Sequence, residues 1–82
     1  MNMKAGPDGY IRTSEDDAKL NKIFASVFSS AAGEEVIKHL RSITIEHVGG
    51  PEITNDHLRH LEGMRYLVGI IQRRIKAGQI NE

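Results

Sequence analysis

The chain has no cysteine, which removes disulfide staples, thiolate zinc sites and cysteine nucleophiles together and suits a reducing compartment. It also lacks any run of about 18 apolar residues, and its N-terminus has no basic region followed by an apolar core, so neither a membrane span nor a secretory signal is expected. Net charge is absent too, with 11 basic and 11 acidic side chains. That balance is far from the basic footprint of a dedicated nucleic-acid binder. At 82 residues there is room for one domain, which buries a small share of its surface. Stability is then marginal unless a partner or a second copy adds buried area.

The charge that is present is unevenly placed. Residues 34 to 53 carry Lys38 and Arg41 against Glu34, Glu35, Glu46 and Glu52. Residues 54 to 82 carry Arg59, Arg65, Arg73, Arg74 and Lys76 against Asp56, Glu62 and Glu82. The middle is therefore mildly acidic and the C-terminal third mildly basic.

Hydropathy patterning predicts three helices. Gly6-Pro7-Asp8-Gly9 is a turn signal, because proline presets one dihedral and glycine accepts positive φ. Residues 1–13 accordingly read as a non-helical arm with Tyr10 and Ile11 as its apolar anchors. Ser14 offers an N-cap oxygen, and Glu15, Asp16 and Asp17 place negative charge in the first turn. Leu20, Ile23, Phe24, Val27 and Phe28 then form one apolar stripe, the predicted core of a helix over about 14–29.

Ser29 or Ser30 caps a second helix, over about 31–48, with Val36, Ile37, Leu40, Ile43 and His47 or Val48 on one face and Gly49-Gly50-Pro51 as its stop. The β-branched stretch Ser42-Ile43-Thr44-Ile45 offers a short strand instead, but with no partner to pair with. Thr54 or Asn55 caps a third helix running to about 77, with Gly78 in the position of a C-terminal glycine. Its seam is Leu58, Leu61, Met64, Leu67, Val68, Ile71 and Ile75, and Tyr66 and Ile70 widen that seam toward another chain. The expected architecture is thus an all-α, three-helix domain over 14–78, with a long C-terminal helix, the arm at 1–13 and a tail at 79–82.

Several chemistries lack their residues. His57 and His60 stand three apart, and His39 and His47 eight apart, but a zinc site needs three or four convergent ligands, and no His-Glu-x-x-His motif is present. Ser26, Ser29, Ser30, Ser42 and Thr44 lie in no nucleophile elbow, and Gly49-Gly50-Pro51-Glu52 lacks the lysine and spacing of a phosphate loop. No catalytic, cofactor-binding or metal-binding residue is expected, and no small-molecule substrate.

The long helix carries the candidates for partner binding: Gly63, Tyr66, Ile70, Arg73, Arg74 and Lys76. Gly63 and Gly69 each cost about 0.8 to 1 kcal/mol relative to alanine inside a helix. They read as tolerated glycines, as the site of an internal helix crossing, or as a close contact with another chain. Arg73, Arg74 and Lys76 read as solvated charge or as a compact basic end facing phosphate or an acidic surface; about three charges would bind DNA weakly and salt-dependently.

Phe24, Val27, Phe28, Ser29, Gly33, Val36 and Leu40, followed by Glu62, Gly63, Arg65, Leu67, Val68 and Ile71, form a pattern over roughly residues 20–76. The chain resembles a family of small tailed-bacteriophage and prophage proteins encoded near head, portal and packaging genes. Ala31-Ala32 stands where that family often has a proline before the glycine. The resemblance implies a structural or assembly role in the virion or in the host cytoplasm during phage assembly. With the surplus apolar face of the third helix, the expected role runs through contacts with the chain itself or a larger virion protein. A DNA-packaging accessory is the alternative, and no membrane role is expected.

Overall fold

The structure, a computed structural model, describes residues 3–80; the outermost residues of the expected arm and tail lie outside the described residues. Five elements follow one another: strands β1 (Met3–Ala5) and β2 (Ile11–Thr13), then helices α1 (Ser14–Phe28), α2 (Ala31–Ile43) and α3 (Asn55–Ile80). The three expected helices are present, with the long one last. The arm, expected only to be non-helical, is an antiparallel hairpin.

The hairpin turn forms where proline and glycine fall. The Gly9 N–H donates to the Gly6 carbonyl at 2.9 Å and the Gly6 N–H to the Tyr10 carbonyl at 2.9 Å. The Asp8 carboxylate accepts the Tyr10 N–H at 3.1 Å, and Gly9 takes φ 85°, where a side chain would be strained. The register pairs Met3 with Thr13, Lys4 with Arg12 and Ala5 with Ile11. Alternation therefore puts Met3, Ala5, Ile11 and Thr13 on one face and Lys4 and Arg12 on the other. Tyr10 and Ile11, the expected anchors, are exposed. The arm is held through polar groups instead.

Capping sets the helix starts. Thr13, not Ser14, caps α1: its extended backbone lets the hydroxyl accept the Asp16 N–H at 3.1 Å, whereas Ser14 is already helical. Ser30 caps α2 by accepting the Gly33 N–H at 3.0 Å, and Thr54 caps α3 by accepting the His57 N–H at 3.1 Å. The second helix stops at Ile43 and not near residue 48 as expected. The hydroxyls of Ser42 and Thr44 donate to the carbonyls of His39 and Leu40, each at 2.6 Å. Arg65 then captures the carbonyls of Thr44 and His47 and draws the chain onto α3. The third helix continues past the expected stop to Ile80.

Packing departs most from the sequence reading. The buried residues of α1 are Asp17, Asn21 and Ala25. Of the expected stripe, Phe24 and Phe28 are half-buried with their rings stacked 6.3 Å apart, while Ile23 and Val27 are exposed. The helix has turned its polar, small-residue row toward α3, because that row meets Arg74 and Gly78. Ala25, Leu61 and Val68 are the buried apolar residues among those described. The molecule is a slab of 49 × 30 × 13 Å with a radius of gyration of 15.0 Å, against about 12 Å for a compact chain of this length.

Candidate functional site

Two faces of α3 have opposite characters, and the sequence-based candidates divide between them. On the inward face Arg74 is 1 % exposed. Its Nη1 donates to Asp17 Oδ1 at 3.0 Å and to Asn21 Oδ1 at 2.8 Å. Its Nη2 lies 3.9 Å from Asp8 Oδ2 and is buried without a hydrogen-bond partner. The hairpin turn closes over this guanidinium, so tightly that a Cβ on Gly6 would fall 2.8 Å from Nη2.

Arg12 holds the Asp8 carboxylate with two hydrogen bonds, each 2.9 Å long. Those bonds are the main reason that the Asp8 carboxyl is lowered to about 2. Lys4 adds a 3.8 Å contact to Asp17, and the Tyr66 hydroxyl donates to the Pro7 carbonyl at 3.0 Å. The arm is thus a polar clasp across α1 and α3.

Arg74 was expected at an exposed basic end, and this burial corrects that expectation: the carboxylate and amide on α1 draw the guanidinium into the α1–α3 seam. Only Arg73 and Lys76 remain of the basic end, and both are exposed. One turn beyond Arg74 is Gly78, expected as a stop signal. There the two backbones meet: a Cβ would fall on the Asn21 carbonyl oxygen and 2.8 Å from Ala25 Cβ.

The outward face is open: an added Cβ at Gly69 would meet nothing within 4 Å, as would one at Gly63, which lies on the Arg74 side of the helix three turns earlier. The internal crossing considered for Gly63 is therefore absent; it lies at Gly78. Glu62, Arg65, Tyr66, Gly69, Ile70 and Arg73 line a shallow groove of about 300 Å³ on this side. Of the six candidates, Tyr66, Ile70 and Arg73 come together there, while Gly63 and Lys76 lie outside its lining.

Arg65 is the groove's fixed point. It donates to the Thr44 carbonyl at 3.0 Å, to the His47 carbonyl at 2.7 Å and to Glu62 at 2.5 Å. The Glu62-Gly63-x-Arg65 group thereby ties the α2–α3 connection to the helix.

The four histidines do not converge, and among the described residues no three His, Asp or Glu side chains gather as a metal site requires. No helix among them is long and apolar enough to cross a membrane. Sequence reasoning missed the clasp, although its signal was present: Asp17, Asn21 and Ala25 are spaced by four, as are Arg74 and Gly78.

Neither a curated protein nor a solved structure matches the chain. The family described as Bbp19-like phage protein matches residues 24–81, which takes in the last third of α1, all of α2 and all of α3. The groove lies inside the matched part, and the arm lies outside it. With well over half of its length matched, the chain belongs to the Bbp19-like phage protein family.

Proposed function

We propose that this chain is a non-enzymatic structural or assembly protein of a phage, which docks on a larger virion component through the outer face of α3. The observation that carries this reading is the imbalance of the apolar surface. Among the described residues three apolar ones are buried, while thirteen large ones, Tyr66 among them, stand exposed. A chain so built gains most of its burial from other molecules. Gly69 supports the same reading, since it leaves the helix backbone bare in the groove, where nothing in this chain approaches it.

DNA contact is disfavoured, because with Arg74 buried the basic end offers two charges in place of three. The places of action are the virion or the host cytoplasm during assembly.

Mass spectrometry of purified particles and of assembly intermediates tests this. The chain is expected in one or both at a fixed copy number, with Gly69→Arg reducing its incorporation at least tenfold. Absence from both overturns the reading, as does binding to short duplex DNA that Arg73→Ala with Lys76→Ala abolishes.

A further inference from the structure

The arm hairpin is inside out. Its polar side chains, Lys4 and Arg12, reach toward Asp17 and Asp8 in the clasp. Its apolar face carries Met3, 57 % exposed, and Ile11, 67 % exposed. A strand pair on a helical domain ordinarily places the apolar face on the core and the charged face in water. Here the clasp has reversed that order.

The exposed face continues onto α1. Met3, Ile11, Leu20 and Ile23 line one open groove of about 440 Å³, together with Arg12, Thr13, Asp16 and Lys19. Val27, four residues beyond Ile23, is 57 % exposed and prolongs the row. This is the stripe that the hydrophobic pattern of α1 assigns to a core, displaced from α3 by Asp17 and Asn21.

We propose that this face binds a second copy of the chain in an isologous dimer. It goes beyond the preceding reading, which concerns the outer face of α3. Area is the first argument for a second copy as the occupant. The chain exposes 6061 Å², against roughly 4,900 Å² for a compact monomer of its mass. The excess, roughly 1,200 Å², is more than the roughly 800 Å² that each partner buries in a standard interface.

Charge is the second argument. A two-fold interface needs a patch complementary to itself, and this groove carries both signs on one helix. Two α1 helices set antiparallel, with the axis between Asp16 and Lys19, place Asp16 of each copy opposite Lys19 of the other. Each Ile23 then lies level with Ile11 and Arg12 of the other copy, so the apolar walls of the two grooves close on each other. The contact leaves the α3 groove free for a different partner.

Light scattering on the full-length chain, at micromolar concentration and two salt concentrations, tests the proposal. The expected mass is twice 9.1 kDa, with Ile23→Glu weakening the dimer by roughly a hundredfold and helical circular dichroism unchanged, since Ile23 is exposed. Asp16→Lys and Lys19→Asp each weaken the dimer, and the two together restore it. A wild-type monomer overturns the proposal. So does an oligomer that survives both Ile23→Glu and Ile11→Glu but is lost on Gly69→Arg, which moves self-association to α3. Incorporation of Ile23→Glu into particles, scored separately, distinguishes failure of the dimer from failure of the assembly reading.

Discussion

The two faces of α3 use glycine and arginine in opposite ways. Inward, Gly78 admits the backbone of α1 and Arg74 is consumed by Asp17 and Asn21. Outward, Gly69 admits nothing within the chain, and Arg73 faces solvent. The same residue types on one helix are thus structural on one side and available on the other. Which is which depends on the row of α1 that faces them.

The largest effect that sharpens this contrast is at Arg74. Arg74→Ala leaves the buried Asp17 with the exposed Lys4, at 3.8 Å, as its remaining cation and is expected to cost about 3 to 5 kcal/mol, enough to unfold a domain this small; urea unfolding measures it. Arg73→Ala, one residue away, is expected to change stability by less than about 0.5 kcal/mol, and equal losses at the two positions would break the comparison.

Gly78→Ala comes next. Overpacking against Asn21 and Ala25 is expected to cost about 1 to 3 kcal/mol, read as a lower melting temperature.

Asp8 gives a pH test of the clasp. Its carboxyl titrates near 2 in the folded chain, below its ordinary 3.8, because Arg12 bonds to the charged form. Its contribution is complete above pH 3.8 and is lost as pH falls through about 2. The Tyr10 amide, which donates to Asp8, is expected to shift in NMR spectra with that midpoint, and Asp8→Asn is expected to abolish the titration.

The smallest effects have the opposite sign. Gly63→Ala and Gly69→Ala are each expected to raise stability by about 0.5 to 1 kcal/mol, measured by thermal denaturation. Destabilisation at Gly69 would mean that the outer face is packed in the free chain.

Periodicity made the helices legible. Capping residues and turn signals placed each start within about a residue, the accuracy expected of caps. The end of α2 was not legible, because Arg65, distant in sequence, pulls Thr44 and His47 out of the helix. The candidate site was half legible: Tyr66, Ile70 and Arg73 do share a groove, but the role of Arg74 depends on α1.

By itself, then, the sequence determined helix number and the turn of the arm, since each follows from spacing along one segment. Tertiary structure alone decided which face of each helix is inside. An apolar stripe is a preference worth roughly 1.5 to 3 kcal/mol per large side chain. A buried arginine with a carboxylate and an amide within 3.0 Å must be satisfied by partners from another segment, and satisfying it left Ile23 and Val27 of the α1 stripe exposed.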